Sequence, residues 1–259
     1  MQQTSFNNYA GVYDEHFTNS LIGKAQRKIV HNYISSVSNK KNNVLEINCG
    51  TGEDAVFLSR LNQNVICSDV SSEMVKICAE KIKLLSNCET LLCSIQEIEK
   101  INGKFNFLFS NFGGLNCLSE SELKSFSNTC LNLTSQNADL IFVIMGRKCL
   151  WENSYFFLKR NTKHIFRRKN RSGVNTEIKG SSFQTYYYSP KEIKSIFQHS
   201  FNLVKCSPVG FFIPPSYLNP FFVKHKKLFS SLCKLETAIT SVNFLSDYAD
   251  HYLIHLKRK

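Results

Sequence analysis

The chain has 259 residues, 42% of them hydrophobic, enough for one good-sized core that could carry insertions, and a single globular domain is expected. No basic-then-apolar leader opens the sequence and no uncharged apolar run approaches the ~20 residues of a membrane helix, so a cytoplasmic protein is expected. With 32 Lys and Arg against 20 Asp and Glu, the net charge of +12 favours an anionic partner without saying whether it is nucleic acid, lipid or an acidic protein.

In chain order, "SLIGKAQRKIVHNYI" (Ser20 to Ile34) has the spacing of an amphipathic helix. "VLEIN" (Val44 to Asn48) is a short apolar run suited to a buried parallel strand. "CGTG" (Cys49 to Gly52) supplies two glycines where the backbone must turn sharply. "EDAVFLSRL" (Glu53 to Leu61) begins with two acids, as a helix N-terminus favours, and "NVICSD" (Asn64 to Asp69) is a second strand ending in a carboxylate. Together they form a β-loop-α-β unit with an acid about twenty residues beyond the glycine turn. Such an acid suits the two hydroxyls of a ribose, so an adenosine-containing ligand is expected. The turn lacks the third glycine of a dinucleotide fingerprint, and two acids stand where a pyrophosphate would sit; a cationic, phosphate-free cofactor fits that charge better.

Further on, "ETLLCSIQEI" (Glu89 to Ile98) reads as a third strand and its loop, "KFNFLFSNFGGLNCL" (Lys104 to Leu118) as a fourth, and "ADLIFVIMG" (Ala138 to Gly146) as a fifth. "SPKEIKSIFQHSF" (Ser189 to Phe201) has the Ser cap and following Pro of a helix start. "NLVKCSPVGFFI" (Asn202 to Ile213) and "DHYLIHLKR" (Asp250 to Arg258) suit two closing strands. Two insertions remain, residues 147–188 and 214–249. The first has an alternating stretch that reads as a β-hairpin turning near Gly180, and the second a Pro-rich loop leading into an amphipathic helix. The ten cysteines lie mostly inside apolar runs and never as C-x-x-C, which argues against a zinc site or a disulfide framework; no metal is expected.

"VLEINCGTGEDAVFLSR" followed by "VICSDVSSEMVKICAEK" resembles the first two motifs of class I S-adenosylmethionine-dependent methyltransferases. "FNNYAGVYDEHF" (Phe6 to Phe17) resembles the A-x-x-Y-D segment of the members that act on quinones, lipids and other small molecules, in which an N-terminal helix covers the cofactor. The resemblance implies a Rossmann-like α/β fold with a seven-stranded, mostly parallel sheet, helices on both faces, and a substrate cap built from the insertions after strand 5 and between strands 6 and 7. Residues 1–259 would form one such domain, with 1–40 covering the cofactor, 41–146 binding it, and 147–188 and 214–249 capping the acceptor.

It implies further that S-adenosyl-L-methionine is held by Tyr13, by Glu46, Asn48, Cys49, Gly50 and Gly52 of the first motif, and by Asp69 at the ribose. Val70 and Met74 would flank the adenine, Ser94 and Ile95 would meet its amino group, and Asn111 and Phe112 would stand between cofactor and substrate. Asn48 replaces the family's first glycine, and Ser94 stands where Asp is frequent. Arg27 could reach the methionine carboxylate or lie solvated on its helix. Asn116, Trp151 and Tyr217 are expected in the acceptor pocket.

The aromatic residues of the insertions serve either as a small cap core or as an apolar pocket rimmed by Arg167, Arg168, Lys169 and Arg171, suited to an aromatic or lipid-like small molecule presented on an anionic membrane surface or an acidic carrier protein. Methyl transfer to O, N or C requires alignment above all; His164, His199 and His225 are candidate bases for a hydroxyl acceptor. A nucleic-acid methyltransferase is the alternative suggested by the charge, but "SNFGG" replaces the N/D-P-P-Y/F loop of base methylation, no Pro-Cys pair follows the fourth strand, and "PPSY" (Pro214 to Tyr217) comes too late. A non-catalytic binding protein with the same fold is a further alternative.

Overall fold

The computed structural model describes residues 2–38, 42–62, 64–178 and 181–259. Nine strands and nine helices are found among these residues. In chain order they are α1 (Gln2–Tyr13), α2 (Leu21–Val37), β1 (Asn43–Ile47), α3 (Glu53–Leu61), β2 (Asn64–Asp69), α4 (Ser72–Ile82), β3 (Cys88–Leu92), β4 (Phe105–Ser110), α5 (Glu120–Leu133) and β5 (Thr134–Met145). The second half adds α6 (Leu150–Leu158), β6 (Val174–Ile178), β7 (Ser181–Thr185), α7 (Pro190–Phe197), β8 (Phe201–Val209), α8 (Asn219–Lys224), α9 (Lys226–Ala238) and β9 (His251–Arg258).

Seven strands form one sheet in the order β3-β2-β1-β4-β5-β9-β8, and β6 pairs with β7 as a separate hairpin. β1 to β5 run parallel, and β9 lies antiparallel between β5 and β8. Strand order therefore reverses between β1 and β4, which opens a crevice at their carboxyl ends where ligands of such sheets bind. The hairpin registers Ile178 against Ser181, and the turn expected at Gly180 lies outside the described residues, as does the expected boundary at residues 40 and 41.

Alternation along the strands explains the two buried faces. Leu45, Leu108, Leu140, Phe142 and Ile254 pack with Leu123 and Phe126 of α5 and Ile193 and Phe197 of α7. Val44, Phe107, Phe109, Ile141 and Val143 pack with Val30 and Ile34 of α2 and Leu58 of α3. β5 is longer than its apolar run: Thr134 pairs with Phe105, the register shifts before Phe107, and Asn137 takes a left-handed φ of 61°. A polar bulge thus extends the strand beyond the reach of a hydrophobicity criterion.

Both insertions close over the carboxyl ends of the strands. Glu236 of α9 is buried, and its carboxylate accepts hydrogen bonds from the N–H groups of Gly210 (2.8 Å), Phe211 (3.2 Å), Phe212 (2.6 Å) and Ile213 (3.0 Å). One acid thereby pins the backbone that leaves β8. Trp151 of α6 donates from Nε1 to the carbonyl of Phe211 at 2.9 Å and sets its ring edge-on to Phe222 of α8.

A buried ion pair joins the sheet's first helices to the crevice. Asp54, in the first turn of α3, accepts from Arg27 Nε of α2 at 3.1 Å and from Asn111 Nδ2 at 3.0 Å, while His31 Nε2 lies 2.6 Å from the same carboxyl group. Burial alone would raise the Asp54 pKa, but the Arg27 charge and the His31 and Asn111 hydrogen bonds outweigh it and hold the group at about 2. A carboxylate depressed in this way stabilises the fold above its unfolded pKa of about 3.9, a contribution lost as pH falls towards 2 and worth on the order of 2–3 kcal/mol. Replacing Asp54 by Asn strands the buried guanidinium. Thermal unfolding of Asp54→Asn near neutral pH is expected to show a loss of about 3–5 kcal/mol, and the gap to the wild type should narrow as pH falls from about 4 to 2. Equal stabilities at pH 7 would contradict this.

The glycine turn generates a second expectation. Gly52 has φ 81°, and a Cβ there would lie 3.0 Å from Cys78 Cβ and 3.1 Å from Cys78 Cα. Gly52→Ala is expected to cost about 2–4 kcal/mol in denaturant unfolding, from a left-handed alanine added to overpacking against α4.

Candidate functional site

The crevice opens into a cavity of about 340 Å³. Its floor is built where β1, β2 and β4 end. After β1 the chain turns through Asn48 at φ 58° and Gly50 at φ 54°, and a Cβ placed on Gly50 would meet nothing within 4 Å, so the backbone borders open space. Asp69, the last residue of β2, accepts from the N–H of Gly50 through Oδ2 and from the N–H of Ser71 through Oδ1, both at 2.9 Å. Each oxygen keeps a lone pair for a ligand hydroxyl, and burial raises the pKa of the group despite these two bonds.

After β4, Asn111 uses its amide on Asp54, and its Oδ1 accepts from the N–H of Phe112, a bulky residue held at φ 42°. Phe112 is fixed from three sides: the Arg27 guanidinium lies 5.2 Å from its ring centroid, Phe17 5.0 Å and His251 5.5 Å. Two non-glycine residues in left-handed conformations at one cavity wall are the strain expected of a functional site.

Helix α1 forms the near wall with Phe6, Tyr9 and Tyr13, and burial pushes the Tyr13 hydroxyl well above its ordinary pKa. A π-helical turn, Asp14–Thr18, follows. Asp14 accepts from Thr51 Oγ1 of the glycine turn and lies as close to Lys81 Nζ of α4, both at 2.6 Å. Ser71 Oγ donates to Asn7 Oδ1, also at 2.6 Å. The N-terminal segment is thereby latched to the floor, and Phe6 reaches the hairpin through Phe183, with ring centroids 4.9 Å apart.

The roof comes from the cap. Arg167 is held by Glu152 at 2.8 and 3.0 Å, while Arg168 reaches Glu152 at 2.9 Å and Asp250 at 2.7 Å. Burial pushes both carboxyls up, but the Arg168 charge and hydrogen bonds from the arginines hold Glu152 low, and the His251 and Arg168 charges hold Asp250 far below the usual carboxylate range. The expected basic rim is corrected on this point: Arg167 and Arg168 do line the cavity, but two buried carboxylates neutralise them. Lys169 and Arg171 do not line it. Lys169 stands over the Phe166 ring, and the exposed Arg171 lies 3.8 Å from Glu192.

Of the residues expected at the site, Tyr13, Asn48, Gly50, Asp69, Val70, Met74, Ile95, Asn111, Phe112 and Tyr217 all border this cavity. Six do not. Glu46 is turned to the α2–α3 face and is 1% exposed, with Oε2 lacking a hydrogen-bond partner among the described residues; burial and the Asp54 charge raise its pKa. Cys49 and Gly52 pack behind the turn, where the sulfurs of Cys49, Cys67 and Cys78 lie within 4.8 Å of one another. Sequence spacing could not show this cluster of three thiols. Ser94 caps a short turn and donates to Glu97 Oε2 at 3.3 Å, leaving Gln96 to join Ile95 at the wall.

Asn116, expected in the acceptor pocket, lies behind the cavity and ties loops together. Its amide donates to the carbonyls of Met145 (3.2 Å) and Tyr186 (2.5 Å) and accepts from the N–H of Met145 at 2.8 Å, and the residue is fully buried and does not border the cavity. Trp151 is partly buried and packs against the cluster of Ile22, Ile213, Phe222 and Phe229 rather than bordering the cavity. Arg27 is buried against Asp54 rather than solvated, with Nη1 unpartnered among the described residues.

None of His164, His199 and His225 borders the cavity. The histidine that does is His251, at the start of β9, with Nδ1 3.1 Å from Asp250 Oδ2. The adjacent Asp-His pair at a strand start was the available signal.

Residues 44–137 match the family described as methyltransferase domain. No curated protein sequence matches the chain. Among solved structures, the DhpI complex with SAH is similar over 99% of this chain and 95% of its own, with a TM-score of 0.62 at 13% identity. The CcbJ methyltransferase from Streptomyces caelestis is similar over 98% of both chains, with a TM-score of 0.62 at 13% identity. An S-adenosylmethionine-dependent methyltransferase from Clostridium acetobutylicum gives 0.60 at 14% identity, over 98% of both chains. At these identities the structural likeness is one of fold. Sheet order and the acid ending β2 agree with the family match: residues 44–137 carry the sequence character of a methyltransferase domain, and the whole chain shares the fold of the solved methyltransferases.

Proposed function

We propose that the protein transfers the methyl group of S-adenosylmethionine to a small, largely apolar acceptor held under the cap. The observation that carries this reading is one continuous cavity with two unlike halves. Gly50, Asp69, Met74 and Ile95 offer a carboxylate and an apolar slot of the kind a nucleoside needs, while Phe183, Tyr187, Tyr217 and His251 offer an aromatic chamber with a charge-balanced wall. The fit to the cofactor rests on Asp69, whose two oxygens are each half-satisfied, and on the open space above Gly50.

When bound, the cofactor supplies an electrophilic methyl on a sulfonium; the chain's part is alignment and exclusion of water. Helix α1 and the cap hairpin meet through Phe6 and Phe183 and close the cavity on one side. A chamber walled by neutralised Arg–carboxylate pairs does not select for a free anionic head, so an aromatic or lipid-like acceptor fits better than a phosphate-rich one. Where the acceptor is a hydroxyl, the neutral form of His251 is the group placed to take its proton as the methyl bond forms, with Asp250 stabilising the resulting imidazolium.

Asp69→Ala is expected to weaken binding of S-adenosylhomocysteine by about 1.5–3 kcal/mol in calorimetry, the scale of hydrogen bonds to a charged group. Unchanged affinity in a folded variant would place the ribose elsewhere. His251→Gln is expected to leave that affinity intact and to lower methyl transfer about 10²–10⁴-fold, the usual contribution of a general base, when a panel of hydroxylated aromatic and lipid acceptors is assayed with labelled donor. Transfer undiminished in this variant would remove His251 from the chemistry.

A further inference from the structure

The two cap insertions hold 14 of the 32 Lys and Arg but only 4 of the 20 Asp and Glu, a net +10 of the chain's +12. They also carry eleven of the fifteen exposed large apolar side chains found among the described residues. Positive charge and exposed apolar surface therefore coincide on one part of the fold. Such a combination is complementary to a partner that is both anionic and apolar.

Charge and exposed apolar side chains coincide on α6 and α8, which pack against each other. Phe157 is 71% exposed, Leu158 80% and Phe221 52%. Helix α6 reaches the segment before α8 through Tyr155 and Tyr217, with ring centroids 5.2 Å apart, and reaches α8 itself through Trp151 and Phe222 at 6.0 Å. On the same two segments of chain Lys159, Arg160, Lys163, Lys224, Lys226 and Lys227 are all exposed, and none of them forms an ion pair with a carboxylate among the described residues. Tyr217 also lines the acceptor cavity, so this surface borders the cavity's cap side.

We propose that the cap docks on an anionic lipid surface, with Phe157, Leu158 and Phe221 entering the interfacial layer and the lysines and arginines of the same segments meeting lipid headgroups. Exposed phenylalanine and leucine beside the cations favour lipid over nucleic acid, whose phosphates would be met by the charges but whose grooves would leave these aliphatic and aromatic tips in water. The docking surface stands without the methyl-transfer reading; its consequence for the acceptor, delivery from the bilayer past Tyr217, rests on that reading.

Vesicle sedimentation of the full chain tests this, comparing pure phosphatidylcholine with vesicles containing about 30 mol% phosphatidylglycerol. Sedimentation with the anionic vesicles alone is expected, weakened as salt is raised. The triple variant Phe157→Ser, Leu158→Ser, Phe221→Ser should bind these vesicles about tenfold less well or worse, and so should Lys159→Glu, Lys163→Glu, Lys224→Glu, while both keep wild-type affinity for S-adenosylhomocysteine. Failure of the wild type to sediment, equal sedimentation with both lipids, or a triple variant that sediments like the wild type would overturn the proposal. So would tight, strongly salt-dependent binding to RNA that vesicles do not compete away. Calorimetry with S-adenosylhomocysteine reports on the methyltransferase reading separately, so the two can fail independently.

Discussion

The site depends on a single carboxylate that is not at its surface. Asp54 gathers Arg27 of α2, His31 of α2 and Asn111 from the loop after β4 around one buried group. Removing water from that group costs several kcal/mol, and only the full set of partners offsets the cost. The geometry of the loop after β4 follows from this. Asn111 is oriented by Asp54, its other end holds the Phe112 N–H, and the Arg27 guanidinium lies against the Phe112 ring. The strained φ of Phe112 persists because its surroundings over-determine it.

From that anchor the molecule divides its labour. The parallel half of the sheet presents backbone and one acid at the strand ends, a surface suited to a nucleoside. The cap presents aromatic rings and a neutralised pair of arginines. Three buried polar groups hold the cap in place: Asn116 ties the end of β5 to the segment after β7, Arg168 ties the cap to Asp250 before β9, and Glu236 ties α9 to the end of β8. Each is a buried polar group whose partners lie far away in sequence, and each fixes one edge of the chamber.

That pattern separates what could be read from the sequence from what could not. The unit from Val44 to Asp69 was legible because its strand, turn, helix and acid are local, and the structure places Asn48, Gly50 and Asp69 together at the cavity as that spacing implies. Asn116 and Trp151 were legible as cap or loop residues but not in their roles, since a long-range hydrogen bond to Tyr186 or Phe211 leaves no trace in local pattern. The charge run Arg167 to Arg171 read as a basic rim because Glu152 and Asp250, its neutralising partners, lie 15 and 82 residues away from the arginines they hold. His251 was hidden inside a run that read simply as a strand. Extension of β5 back to Thr134 failed the apolar test because a bulge at Asn137 and a polar edge replace hydrophobic alternation there.

The most direct test of the central claim, that one cavity seats donor below and acceptor above, is a crystal structure of the protein soaked with S-adenosylhomocysteine. The account predicts the ribose hydroxyls within hydrogen-bond reach of both Asp69 oxygens, with the thioether sulfur open towards Tyr187 and His251. Density for the nucleoside at any other place, or a protein that refuses this ligand and takes up a nicotinamide dinucleotide instead, would contradict it.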